Sequence, residues 1–125
     1  MKAFASLCAC AALVALLPAS ALADGPQAIG IAANHAGLAA NAGGIDMVHT
    51  HLHHVLNCLV GPGGDGFDAM PGNPCGMAGG AILQTADAAT KAKLQMAATQ
   101  VKAGIANADM AGAKKTATDV QAMLK

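Results

Sequence analysis

The stretch Ile45-Asp-Met-Val-His-Thr-His-Leu-His-His-Val-Leu-Asn-Cys-Leu-Val60 decides how this chain folds. Ile45, Val48, Leu52, Val55, Leu56 and Leu59 recur at helical spacing and line one stripe. A stripe of that width marks an amphipathic helix with its apolar side turned to a core. Gly61-Pro62-Gly63-Gly64 follows immediately and ends it, because neither residue type extends a helix.

Working outward, residues 26–42 read as a preceding helix. Pro26 stands in its first turn, where a missing N–H costs nothing, and Gly43-Gly44 closes it. Its Ile31, His35, Leu38 and Ala42 fall at i, i+4, i+7 and i+11, so the spacing turns them, His35 included, toward the second helix. Downstream, residues 61–84 form a Gly/Pro-rich connector. Thr85 reads as the N-cap of a third helix reaching about Ala106, with Leu94, Ala97, Ala98, Val101 and Ile105 inward. Residues 107–109 make a turn, and a fourth helix runs from Met110 to about Leu124 on a stripe of Ala113, Ala117, Val120 and Leu124. The two pairs look duplicated: His35-Ala-Gly-Leu-Ala-Ala-Asn41 resembles Lys102-Ala-Gly-Ile-Ala-Asn107. Short turns between long helices make antiparallel neighbours. The expected fold is all-α: an antiparallel four-helix bundle of two hairpins, residues 26–60 and 85–125, joined by the loop 61–84.

The first 23 residues carry the pattern of a secretory signal peptide. Lys2 starts it, residues 3–17 are apolar, Pro18 breaks the helix, and Ala21-Leu22-Ala23 offers a small-x-small cleavage site before Asp24. Export to a bacterial periplasm follows as the expected location, with residues 24–125 as a single domain and no membrane association after cleavage. Cys8 and Cys10 would leave with the signal, so Cys58 and Cys75 remain. Two cysteines in an oxidising compartment pair with each other, and a loop of this size contributes about 3 kcal/mol.

Formal charge is zero, from seven Lys and seven Asp without Arg or Glu. Beyond the signal, every Lys lies at Lys91 or later and every His at His54 or earlier. Phe67 is then the last aromatic ring, and no basic patch interleaves with aromatics, so nucleic acid is not an expected partner. His-Glu-x-x-His, Gly-x-Ser-x-Gly, phosphate-loop and Cys-x-x-Cys-His patterns are all missing, and no carboxylate pair has catalytic spacing; an enzyme is not expected.

The remaining chemistry is imidazole. Four of the five histidines, His49, His51, His53 and His54, lie within six positions. On a helical wheel they divide into two rows flanking the apolar stripe. Asp46, His49 and His53 make an N/O row; Met47, His51, His54 and Cys58 make an N/S row. Imidazole with thioether suits copper, and imidazole with carboxylate suits zinc, nickel or Cu(II). A Cys58 held in a disulfide cannot ligate as a thiolate. Imidazoles with ordinary pKa values would release metal as pH falls below about 6.

The His-bearing helix and the duplicated Ala-rich hairpins behind a signal segment resemble the small metal-binding protein family. That resemblance implies a periplasmic four-helix bundle whose surface histidines, here His49, His51, His53, His54 and His35, bind copper and other divalent metals. The expected role is buffering or carrying a transition metal, copper first. Two alternatives stand beside it: a b-type haem bundle using His35 with a second His or Met as axial ligands, and a cofactor-free interaction protein presenting the cysteine-bracketed loop and Phe67.

Overall fold

The computed structural model describes residues 24–77 and 79–125. The expected signal segment, with Cys8 and Cys10, lies outside the described residues. Within them the chain is all-helical: α1 Gly25–Asn41, α2 Ile45–Val60, α3 Ala81–Gln84, α4 Ala88–Ala106 and α5 Met110–Leu124. None of these helices is long and apolar enough to cross a membrane.

Aspartate starts three of the helices. Asp24 accepts from the Gln27 amide at 2.9 Å, Asp87 from Thr90 at 2.7 Å and Asp109 from Gly112 at 2.7 Å. Each carboxylate thereby satisfies an amide that the first turn leaves without an intrahelical partner. Thr85 does something other than the sequence suggests. Its hydroxyl donates back to the Ala81 carbonyl at 2.8 Å and closes the short α3, and Asp87 takes the capping position of α4. A carboxylate outcompetes a hydroxyl that already has a backbone acceptor one turn behind it. The connector expected to run unstructured to Gln84 therefore ends in a helical turn.

The four long helices enclose one core. α1 packs on α2 and α5, α4 packs on the same two, and α3 rests against α1, α2 and α4. From α2 come Val48, Leu52, Val55, Leu56 and Leu59, all buried, with Ile45 partly so. Leu94, Ala97, Ala98 and Val101 of α4 and Ala113, Ala117, Val120 and Leu124 of α5 complete the interior. α1 is turned differently from the expected face. Its buried positions are Ala28, Ala32, Ala33, Ala36 and Ala39, Leu38 is 44% exposed, and Ile31 and His35 sit at the boundary. An all-alanine seam lets two helix backbones approach more closely than a leucine seam would, and closer approach adds dispersion contacts.

The connector is folded back onto α2. Gly61, at φ 72°, and Gly80 meet backbone to backbone, and a Cβ on either would collide with the other strand of chain. Cys58 and Cys75 form a disulfide across 17 positions. Asn57, fully buried beside Cys58, binds the loop through its side chain, and Lys102 pairs with Asp65 at 2.5 Å. Asn57 and Cys58 join the apolar residues inside because the loop covers them.

With so much alanine inside, the crosslink carries a large share of the net stability. The Cys58→Ser/Cys75→Ser variant should unfold in urea with a free energy lower by about 3 kcal/mol, the entropy a loop of this length confers on the unfolded chain.

Candidate metal centre

Two helices bring three imidazoles together. His35 projects from α1, and His51 and His54, three residues apart and so on one face, project from α2. The Nδ1 of His35 lies 3.2 Å from the Nδ1 of His51 and 3.3 Å from that of His54. Ring centroids stand 4.7 Å apart for His35 and His54, 5.4 Å for His35 and His51, and 5.7 Å for His51 and His54. Among the described residues this is the group of three His, Cys, Asp or Glu side chains whose ligand atoms converge, all within 4.8 Å of one another. All three side chains are half-buried.

The proton inventory explains why such a cluster is unusual. The Nε2–H of His54 donates to the Pro71 carbonyl at 2.6 Å, which leaves a lone pair on its Nδ1. A hydrogen bond between two ring nitrogens needs one proton between them. With neutral rings, the single Nδ1–H of His35 is shared between the lone pairs of His51 and His54. Shifting that proton to Nε2 leaves three neighbouring nitrogens with lone pairs, an arrangement that a bound cation would satisfy. Tetrahedral coordination at a metal–nitrogen distance of 2.0–2.1 Å separates ligand atoms by about 3.3 Å. The two nitrogen separations already match that edge.

Two of the three rings, His35 and His51, are held toward the neutral form. Burial first, then the neighbouring His54 and His51, lowers the pKa of His35 from 6.5 to about 4. Burial and His54 also lower that of His51. Both effects disfavour a second positive charge in a confined space. The expected release of metal near pH 6 assumed ordinary imidazoles, and His35 departs from that assumption.

The other candidate ligands fall elsewhere. The ring of His49 donates from Nε2 to the Asn107 carbonyl at 2.9 Å, tying α2 to the turn between α4 and α5. His53 is half-buried with its Nδ1 out of solvent and without a hydrogen-bond partner. Asp46 and Met47 are exposed, Met47 at 53%. Asp46, His49 and His53 are not among the side chains that converge as a group of three. Cys58 is engaged in the disulfide. The row formed by His51 and His54 thus meets a partner from α1, and the row formed by Asp46, His49 and His53 does not. Two contributors carried no signal in sequence: the Pro71 carbonyl, a backbone atom, and Asn57, whose only mark is a polar residue inside an apolar run.

Compared with protein-family models, curated proteins and solved structures, the chain matched none.

A depressed histidine pKa has a definite stability signature. Between pH 6.5 and 4 the unfolded chain binds a proton at position 35 that the folded chain refuses. This contribution to stability is therefore full above 6.5, declines as pH falls through that window, and levels off below 4. Thermal unfolding of the metal-free protein across pH 4–7.5 should show this slope, and His35→Gln should reduce it to the part that His51 supplies.

Proposed function

We propose that this protein is an exported transition-metal binder, a buffer or carrier whose ligands are His35, His51 and His54. The observation that carries the reading is the convergence of three Nδ1 atoms from two helices, with His54 already held in the tautomer that ligation requires. Three neutral imidazoles without a carboxylate suit zinc, nickel or copper and do not suit calcium or magnesium, which take oxygen. Copper is the first choice, because divalent copper stands highest in the affinity order of first-row metals for imidazole nitrogen. A bare ion fits better than haem. Axial ligands stand on opposite faces of a macrocycle, and these rings are in direct contact with one another.

The setting agrees with this role. The residue 1–23 pattern points to export to the periplasm, and the Cys58–Cys75 disulfide suits an oxidising compartment. In this reading the four long helices form an antiparallel bundle of two hairpins, as in the small metal-binding protein family that the sequence resembles. The centre would lie wholly within the first hairpin.

Calorimetric titration of the purified protein with Cu(II) and with Zn(II) tests the proposal. One ion per chain is expected. His35→Ala/His51→Ala/His54→Ala should abolish binding, and His49→Ala/His53→Ala should retain it. The reverse pattern would move the site to the other row, and binding unchanged in both variants would sink the proposal.

A further inference from the structure

Among the described residues, Asn57 is the buried polar side chain of the core, at 0% exposure. It lies three residues beyond His54 on α2, and the three side-chain hydrogen bonds it makes are all directed at one loop. Nδ2 donates to the carbonyls of Asp68 at 2.6 Å and Gly72 at 2.8 Å, and Oδ1 accepts from the Asp68 amide at 3.0 Å. The bracketed segment presents one more carbonyl toward α2, that of Pro71, which accepts from His54 Nε2. Gly72 turns the chain there at φ 103°, a conformation side chains strain to reach, and a Cβ on it would stand 3.5 Å from the His54 ring. Three residues further on, Cys75 is bonded to Cys58.

A neutral histidine has two tautomers of similar energy, and the hydrogen bond made by one nitrogen selects which other nitrogen keeps its lone pair. A ligating histidine typically spends its second N–H on a carbonyl or carboxylate for this reason. We infer that Asn57 is a positioning residue of the metal centre: through Asp68 and Gly72 it holds the Pro71 carbonyl where that carbonyl fixes His54 as the Nε2–H tautomer and aims its Nδ1 at the ion. This role rests on the metal reading above. Loss of such an outer partner typically lowers metal affinity ten- to hundredfold.

Nitrogen-15 NMR of the histidine rings tests it directly. In the metal-free wild type near neutral pH, His54 should show a protonated Nε2 and a bare Nδ1. In Asn57→Ala the two tautomers should mix, and zinc affinity, measured by competition with a chelating dye, should fall ten- to hundredfold. His35→Ala supplies the control: it removes a ligand and a donor to His54 Nδ1, so zinc binding weakens, while the Pro71 carbonyl keeps His54 predominantly in the Nε2–H form. Gly72→Ala keeps Asn57 but displaces the Pro71 peptide, so it should reproduce both losses and serves where Asn57→Ala does not fold. A wild-type His54 protonated at Nδ1 overturns the inference, as does an Asn57→Ala variant with unchanged tautomer and affinity. A wild type that binds neither zinc nor copper overturns the metal reading and this role with it; it is told apart because the tautomer signal needs no metal.

Discussion

How closely α1 can approach α2 determines whether the histidine cluster exists at all. Imidazole is a short side chain, and His35 must reach His51 and His54 across a helix–helix interface. The buried face of α1, with Ala28, Ala32, Ala33, Ala36 and Ala39, packs on α2 and α5 and permits that close approach. Interaxial distance follows the size of the side chains at the contact. A leucine at one of these positions would hold the backbones apart and leave three separate surface histidines. The same seam leaves a core poor in bulky groups, which is why a disulfide and a buried amide are needed to secure the loop.

Two consecutive residues of α2 provide that security. Asn57 grips the loop at Asp68 and Gly72, and Cys58 grips it at Cys75. A buried amide with its donors and acceptor engaged contributes modestly on its own, but one left unpaired is costly, so the loop is favoured in the conformation that meets all three bonds. Pro71 stands between the two points that Asn57 holds, and its carbonyl accepts from His54. Stability and chemistry thus share the same few atoms.

Much of this was legible in the chain. The apolar stripe of Ile45–Val60 set the bounds of α2, and the alanine-and-valine stripe of α5 set its inner face. The cysteine pair was readable because only two cysteines follow the signal pattern. Rotation of α1 was not readable: Ile31 and Leu38 outrank alanine on any hydropathy scale, and only the packing of neighbours shows that the small face goes inward. Helical spacing placed His51 and His54 in one row and His49 and His53 in another with nothing to choose between them. The choice is made by what stands opposite, His35 for the first row and the Asn107 carbonyl for His49, and that is tertiary information. Thr85 looked like a cap because its own acceptor, one turn earlier, belonged to a helix too short to anticipate.

An ion held by His35 on one helix and by His51 and His54 on the next would be a staple that only the native chain can close. Such a ligand adds to the folding free energy by mass action, about 2.7 kcal/mol at a hundredfold excess over its dissociation constant. In a small protein with a thin interior, that increment separates molecules that breathe open from molecules that do not. Scarcity of the cation would then leave its mark as turnover, with ion-free copies opening first and the amount of protein following the supply of the ion.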